Sequence, residues 1–262
     1  MPARFAILSS PRSANTWLRR LLVEYLDLEE RAVHTPRELD WSRIPERCVV
    51  QLHWPAVPEL RRLLDEHAFS VCVLVRHPLD TLISILHFAA HEPQTARWLD
   101  GAHGDERAII GAEPCSDAFL RYATGRRARA LIGITPEWWT PRAIARVRFE
   151  DLIRRPTDEL ERIATRSGVE PVIGPAQAVQ AVSFARMQQE GGNEHFWQGR
   201  PALWRELLPL PYAHELARPY RVHADRFDYD LSPDPALTLD EARRSWQAVV
   251  RPPADAPLRG AP

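Results

Sequence analysis

Short apolar runs alternating with helically spaced segments limit the folds open to this chain more than any other feature. Arg4-Phe5-Ala6-Ile7-Leu8 runs straight into a polar turn, Cys48-Val49-Val50-Gln51-Leu52 is a second run, and Ser70 to Val75 a third. Their continuous, often β-branched character is that of parallel strands buried on both faces. Arg142 to Phe149 offers a fourth. Between the runs the spacing becomes helical. Trp17, Leu18, Leu21, Leu22 and Tyr25 share one face; Leu60, Leu63 and Leu64 another; Leu79, Leu82, Ile83 and Leu86 a third. Leu160, Ile163 and Ala164 form a fourth, closed by Gly168. Strand and helix in strict alternation predict an α/β fold, a parallel sheet flanked by helices.

Composition narrows the partners. The 262 residues suffice for one domain with a sizeable core. With 34 basic against 35 acidic residues the net charge is −1, which excludes a general nucleic-acid binder. No lysine occurs, so every side-chain cation other than histidine is an arginine, as expected of a GC-rich bacterial genome, and any charged anion clamp is built from forked guanidinium groups. Cys48, Cys72 and Cys115 are too scattered for a disulfide framework. No apolar run reaches the roughly 18 residues of a membrane span, and no signal peptide is legible, so a cytoplasmic protein without membrane contact is expected. The Pro-rich segment 232–262 reads as an extended tail after a domain covering 1–231.

Three polar groupings fall at the carboxyl ends of the expected strands, where open α/β sheets bind ligands. Ser9 to Trp17 is a strand-to-helix turn. A helix N-terminus presents unsatisfied N–H groups to an anion, and Arg12, Ser13 and Thr16 add donors beside Ala14 and Asn15. It is not a Walker loop, since glycine and the Lys-Ser/Thr pair are missing. Arg76 ends the third run, and Asp80, Ser84, His87 and His91 follow at helical spacing as a polar stripe that brings Ser84 toward Arg76. His87 and His91 lack the Glu and third ligand of a metal site. His53, in Gln51-Leu52-His53-Trp54-Pro55, is placed as a general base between the two anion sites.

Taken in order, these motifs resemble those of sulfotransferases that use 3′-phosphoadenosine 5′-phosphosulfate (PAPS). Ser10 to Leu18 is similar to the family's Pro-Lys-Ser-Gly-Thr-Thr-Trp loop, His53-Trp54-Pro55 to its His-Leu-Pro, and Arg76 with Ser84 to its 3′-phosphate motif. Phe149-Glu150-Asp151-Leu152 resembles Tyr-Glu-Asp-Leu; Ser183-Phe184 with Met187 resembles the stretch near the adenine; and Gly199 with Trp204 resembles the late glycine loop. Three departures stand out: Arg12 replaces the loop lysine, Phe149 the tyrosine, and Trp197-Gln198-Gly199-Arg200 the Arg-Lys-Gly sequence.

The resemblance implies a single nucleotide-kinase-like (P-loop NTPase-like) domain that moves a sulfuryl group in line from PAPS to a hydroxyl of a small or medium-sized acceptor, without a metal. Adenosine 3′,5′-bisphosphate (PAP) is then the product. It further implies a cradle for the 5′-phosphosulfate from Arg12 to Thr16, adenine contacts at Trp17, Phe149, Phe184 and Met187, and 3′-phosphate contacts at Arg76, Ser84, Gly199 and Arg200. His53 and Arg12 take the catalytic roles, as base and as stabiliser of the departing oxygen. A small-molecule kinase of the same fold and a non-catalytic nucleotide-binding relative are the alternatives.

Overall fold

The computed structural model describes residues 2–91, 93–183, 186–187 and 197–250. Five parallel strands form one sheet in the order β2-β3-β1-β4-β5: β1 Ala3–Leu8, β2 Glu29–Val33, β3 Arg47–Leu52, β4 Phe69–Val75 and β5 Ala145–Arg148. β1 is central, with Leu8 beside Leu52 of β3 and Ile7 beside Cys72 of β4. The chain builds one side of β1 and then crosses to the other, so the crevice at the carboxyl ends of β3, β1 and β4 is the switch point of the sheet.

Helices cover both faces. Phe5 and Ile7 pack with Leu18 and Leu22 of α1 (Asn15–Leu26), whereas Ala6 and Leu8 pack with Leu60 of α2 (Pro58–Glu66) and Leu82 of α3 (Pro78–Ala89). Alternate strand residues are therefore buried against opposite layers, which is why β1 and β3 read as continuous apolar runs. The layer carrying α3 is completed by α4 (Asp117–Ala123) and α5 (Arg126–Trp138); α6 (Phe149–Arg154) and α7 (Pro156–Ser167) follow β5.

Several expectations change. β2 escaped notice because Glu-Glu-Arg-Ala-Val is a largely exposed edge strand without an apolar face. Phe149, expected at the end of a strand, starts α6. The periodic stretch from Asp117 to Arg129 is two helices parted at Thr124 and Gly125, where a Cβ on Gly125 would meet the Arg121 carbonyl at 2.9 Å. Helix α3 is buried on all sides, so Asp80, Ser84 and His87 of the polar stripe lie inside the molecule while His91, beyond the helix, is exposed; the Asp80 carboxylate accepts from the N–H groups of Ala202 and Trp204 at 2.7 and 3.0 Å. The segment expected as an extended tail contains a helix, Leu239–Val250, with Ala242 and Trp246 buried at helical spacing; Pro252-Pro253 lies outside the described residues. Among the described residues no helix is long and apolar enough to cross a membrane.

Candidate active site

The residues after β1 form a rigid platform. Pro136 inside α5 has no N–H to offer Ile132 four residues earlier, and the Ser10 hydroxyl donates to that carbonyl instead at 2.9 Å. The Ser10 N–H in turn donates to Thr135 Oγ1 at 2.9 Å, and the Leu74 N–H donates to Ser9 Oγ at 2.6 Å. Beyond this anchor Arg12 (φ 62°) and Ala14 (φ 70°) both adopt left-handed backbone, a strained state for non-glycine residues that is often kept at ligand sites. Ala14 precedes α1 and no side chain caps the helix, so its first N–H groups open toward the cleft.

That cleft has a volume of about 300 Å³. Arg12, Ala14, Asn15, Thr16 and Trp17 line it from the first turn, Arg76 and Ser84 from β4 and α3, and Phe149 and Ile153 from α6. His53 follows β3, and Val33 and His34 close β2. Among the described residues that line it, none is acidic, while three are arginines.

Arg12 and Arg76 converge. Arg12 Nε donates to Ser84 Oγ at 3.1 Å, and Arg76 Nη1 donates to the Arg12 carbonyl at 2.9 Å. Their guanidinium groups lie over Phe88 (4.1 Å to the ring centroid) and Phe149 (4.3 Å). Burial, and next the like charge of Arg76, lowers the Arg12 pKa to about 9. Ser13 Oγ and Arg76 Nε are buried without a hydrogen-bond partner. A partner of the right charge for the two guanidinium groups is an anion.

His53 faces the same space. The Ser9 carbonyl can only accept, so the 2.8 Å contact fixes the proton on His53 Nδ1 and leaves a lone pair on Nε2. Burial dominates its titration and, with the positive neighbours His34, Arg12 and Arg19, outweighs the Ser9 bond to lower the pKa to about 4. The imidazole is therefore neutral near pH 7. Trp98 meets it edge-on at 6.1 Å and stacks on Phe88 at 5.7 Å. Arg127 holds the Trp98 segment from below: it donates to both Glu106 oxygens at 2.8 and 3.0 Å and to the carbonyls of Thr95, Trp98 and Ala102.

The other expected contacts divide. Gly199 (φ 61°) lines the cleft with Trp197 and Gln198. Arg200 is drawn instead into a bidentate pair with Glu206 at 2.5 and 2.9 Å and does not line it. Met187 is buried in the core on the α1 side of the sheet, outside the cleft, filling apolar space. Phe184 lies outside the described residues. His87 does not reach the cleft either; it stacks on Trp197 at 4.1 Å, and burial, His91 and Arg12 lower its pKa to about 3. Arg19, Val33 and His34 are lining residues that sequence reasoning missed. For Arg19 the one available signal was its position one turn after Asn15 on α1.

No protein-family model matches the chain, and no curated protein matches it in sequence. Solved structures do match in fold. A mouse sulfotransferase complexed with PAP superposes with a TM-score of 0.65 at 16% identity, covering 87% of this chain and 86% of the other. Retinol dehydratase in a complex with retinol and PAP gives 0.57 at 16% identity, covering 89% and 84%. The same enzyme with androsterone and inactive cofactor PAP gives 0.55 at 16%, covering 88% and 82%. The chain shares their fold, a parallel sheet flanked by helices.

Proposed function

We propose that the protein is a PAPS-dependent sulfotransferase that transfers the sulfuryl group to a hydroxyl of a small or medium-sized acceptor. The observation that carries this reading is the convergence, at the switch point of the sheet, of an uncapped helix N-terminus, two guanidinium groups and a neutral imidazole in a cleft whose described lining residues include no carboxylate. The match in fold to PAP-bound structures supports it.

The turn from Arg12 to Thr16 holds the 5′-phosphosulfate, with α1 N–H groups and the Arg12 guanidinium as donors, while the Ser13 hydroxyl, buried outside the cleft lining, takes no part. Arg76 and Ser84 hold the 3′-phosphate, and Trp17 and Phe149 flank the adenine. In the transfer the acceptor oxygen bonds to sulfur as the bond from sulfur to the phosphate oxygen breaks in line. The acceptor proton passes to His53 Nε2, and Arg12 stabilises the charge left on the departing oxygen. The lining residues Phe88, Trp98, Trp197 and Val33 make the acceptor side apolar and suit an acceptor such as an uncharged alcohol or phenol. A kinase acting through magnesium needs a carboxylate near the phosphates, and none of the described lining residues supplies one.

Calorimetry with PAP and with adenosine 5′-phosphate, followed by turnover of PAPS against ATP plus magnesium, tests the assignment. Tighter binding of PAP and release of PAP in the presence of an acceptor are expected. Equal affinity for the two nucleotides overturns the donor site; tight PAP binding without turnover for any alcohol or phenol makes the protein a nucleotide-binding relative.

A further inference from the structure

Beneath the acceptor side of the cleft a chain of hydrogen bonds runs to His53 from outside the motifs. Glu30 on β2 accepts from Arg19 Nε at 3.1 Å and pairs with Arg20 at 3.2 Å, which fixes the Arg19 guanidinium. Arg19 Nη1 then donates to Gln51 Oε1 at 2.8 Å. Because that bond occupies the amide oxygen, the Gln51 NH₂ group faces the imidazole, and Gln51 Nε2 lies 3.4 Å from His53 Nε2. On its other edge the ring donates to the Ser9 carbonyl. Gln51 is 9% exposed, so water does not readily replace either partner.

We infer that Arg19 and Gln51 are positioning residues for His53: Arg19 dictates which way the Gln51 amide points, and the amide N–H, aimed at Nε2, keeps that lone pair unprotonated until an acceptor hydroxyl takes its place. The inference rests on the reading of His53 as the proton acceptor. An amide N–H aimed at Nε2 opposes a proton there, whereas an oxygen in the same place would accept one and favour imidazolium. The long contact is weak enough for an acceptor hydroxyl to displace it. The other groups around the ring are the Ser9 carbonyl, His34, Arg12 and Trp98. Arg12 and His34 also disfavour a positive ring, so the amide adds selection of tautomer and direction to a bias the cleft already has.

The test reads tautomer and titration of His53 by nitrogen-15 NMR in the full chain without nucleotide, with the signal assigned by its loss in His53→Gln. Wild type is expected as the Nδ1–H tautomer, titrating well below the ordinary 6.5. Gln51→Glu, nearly isosteric, places a carboxylate oxygen at Nε2 and should raise the midpoint by about one unit or more. Arg19→Met frees the amide to turn its oxygen inward and should shift it in the same direction; Arg19→Lys, still a donor to Gln51, should stay close to wild type. With PAPS and an acceptor, Gln51→Glu should move the acid limb of kcat up by the same amount as the NMR midpoint, keep the KM for PAPS within about twofold, and recover as pH rises above the displaced limb. An unmoved midpoint in Gln51→Glu or in folded Arg19→Met overturns the inference, as does a fall in kcat without a displaced limb. If Arg19→Met does not fold, Gln51→Glu alone decides. The NMR readout does not depend on turnover, so shifted midpoints in a protein that never turns over PAPS would refute the proposed reaction and leave the positioning intact.

Discussion

Around Arg12 and Arg76 the cleft is shaped by main chain: a left-handed turn, the open end of α1 and the residue that follows β4. Around Trp98 and Trp197 it is shaped by side chains from segments remote in sequence, held by Arg127 on one side and by the carbonyl of Val249 on the other. The first half depends on a left-handed turn anchored on α5 and β4 and tolerates little change in backbone. The second depends on a few buried anchors, Arg127 and the Val249 carbonyl among them.

Substitutions at the seam and within each half measure how separate they are. The largest effect is expected at the seam. His53→Gln should lower kcat by about 10²- to 10⁴-fold, the usual contribution of a positioned base, while PAP affinity stays within about threefold. Steady-state rates and calorimetry on the same preparation check it, and a well-folded variant with near-normal kcat would remove the base.

Next comes the anchor of the acceptor wall. Arg127→Met leaves the fully buried Glu106 carboxylate without its partner and should cost about 3 to 5 kcal/mol of stability in denaturant unfolding. In the fraction that folds, KM for the acceptor should rise more than Kd for PAP; the reverse order would show that the halves are not separable.

Arg76→Ala acts within the donor half. Loss of a charge-assisted contact should weaken PAP binding by about 1.5 to 3 kcal/mol, roughly 10- to 150-fold, with little change for adenosine 5′-phosphate. A parallel loss for both nucleotides would move the 3′-phosphate elsewhere.

The smallest effect belongs to Arg200→Ala. Its exposed pair with Glu206 contributes at most about 1 kcal/mol, and PAP affinity should change less than about twofold. A tenfold loss would return Arg200 to the donor site.

The same division explains what could be read in advance. β1, β3 and β4 are legible because both faces of each are buried, and the residues just after them, Arg12, His53 and Arg76, come to one cleft because the strands are parallel. Arg200 misled because sequence spacing does not show that Glu206 competes for its charge. Gln51 gave no local signal and Arg19 only its place one turn after Asn15, since their contacts join residues 32 and 11 positions apart.

The indole N–H of Trp197 and the side-chain amide of Gln198 both end on the carbonyl of Val249, 52 and 51 residues further on. Closing a loop of that length carries a chain-entropy cost that grows with the logarithm of its size and must be met before the contact returns any energy. The turn after β1 is fastened elsewhere, with Ser10 bonded to Ile132 and Thr135 of α5 and Ser9 to Leu74 of β4. One wall of the cleft is therefore a clasp fastened to the helix Leu239–Val250, so partial unfolding that releases this helix would loosen Trp197 and Gln198 while the turn after β1 kept its anchors on α5 and β4.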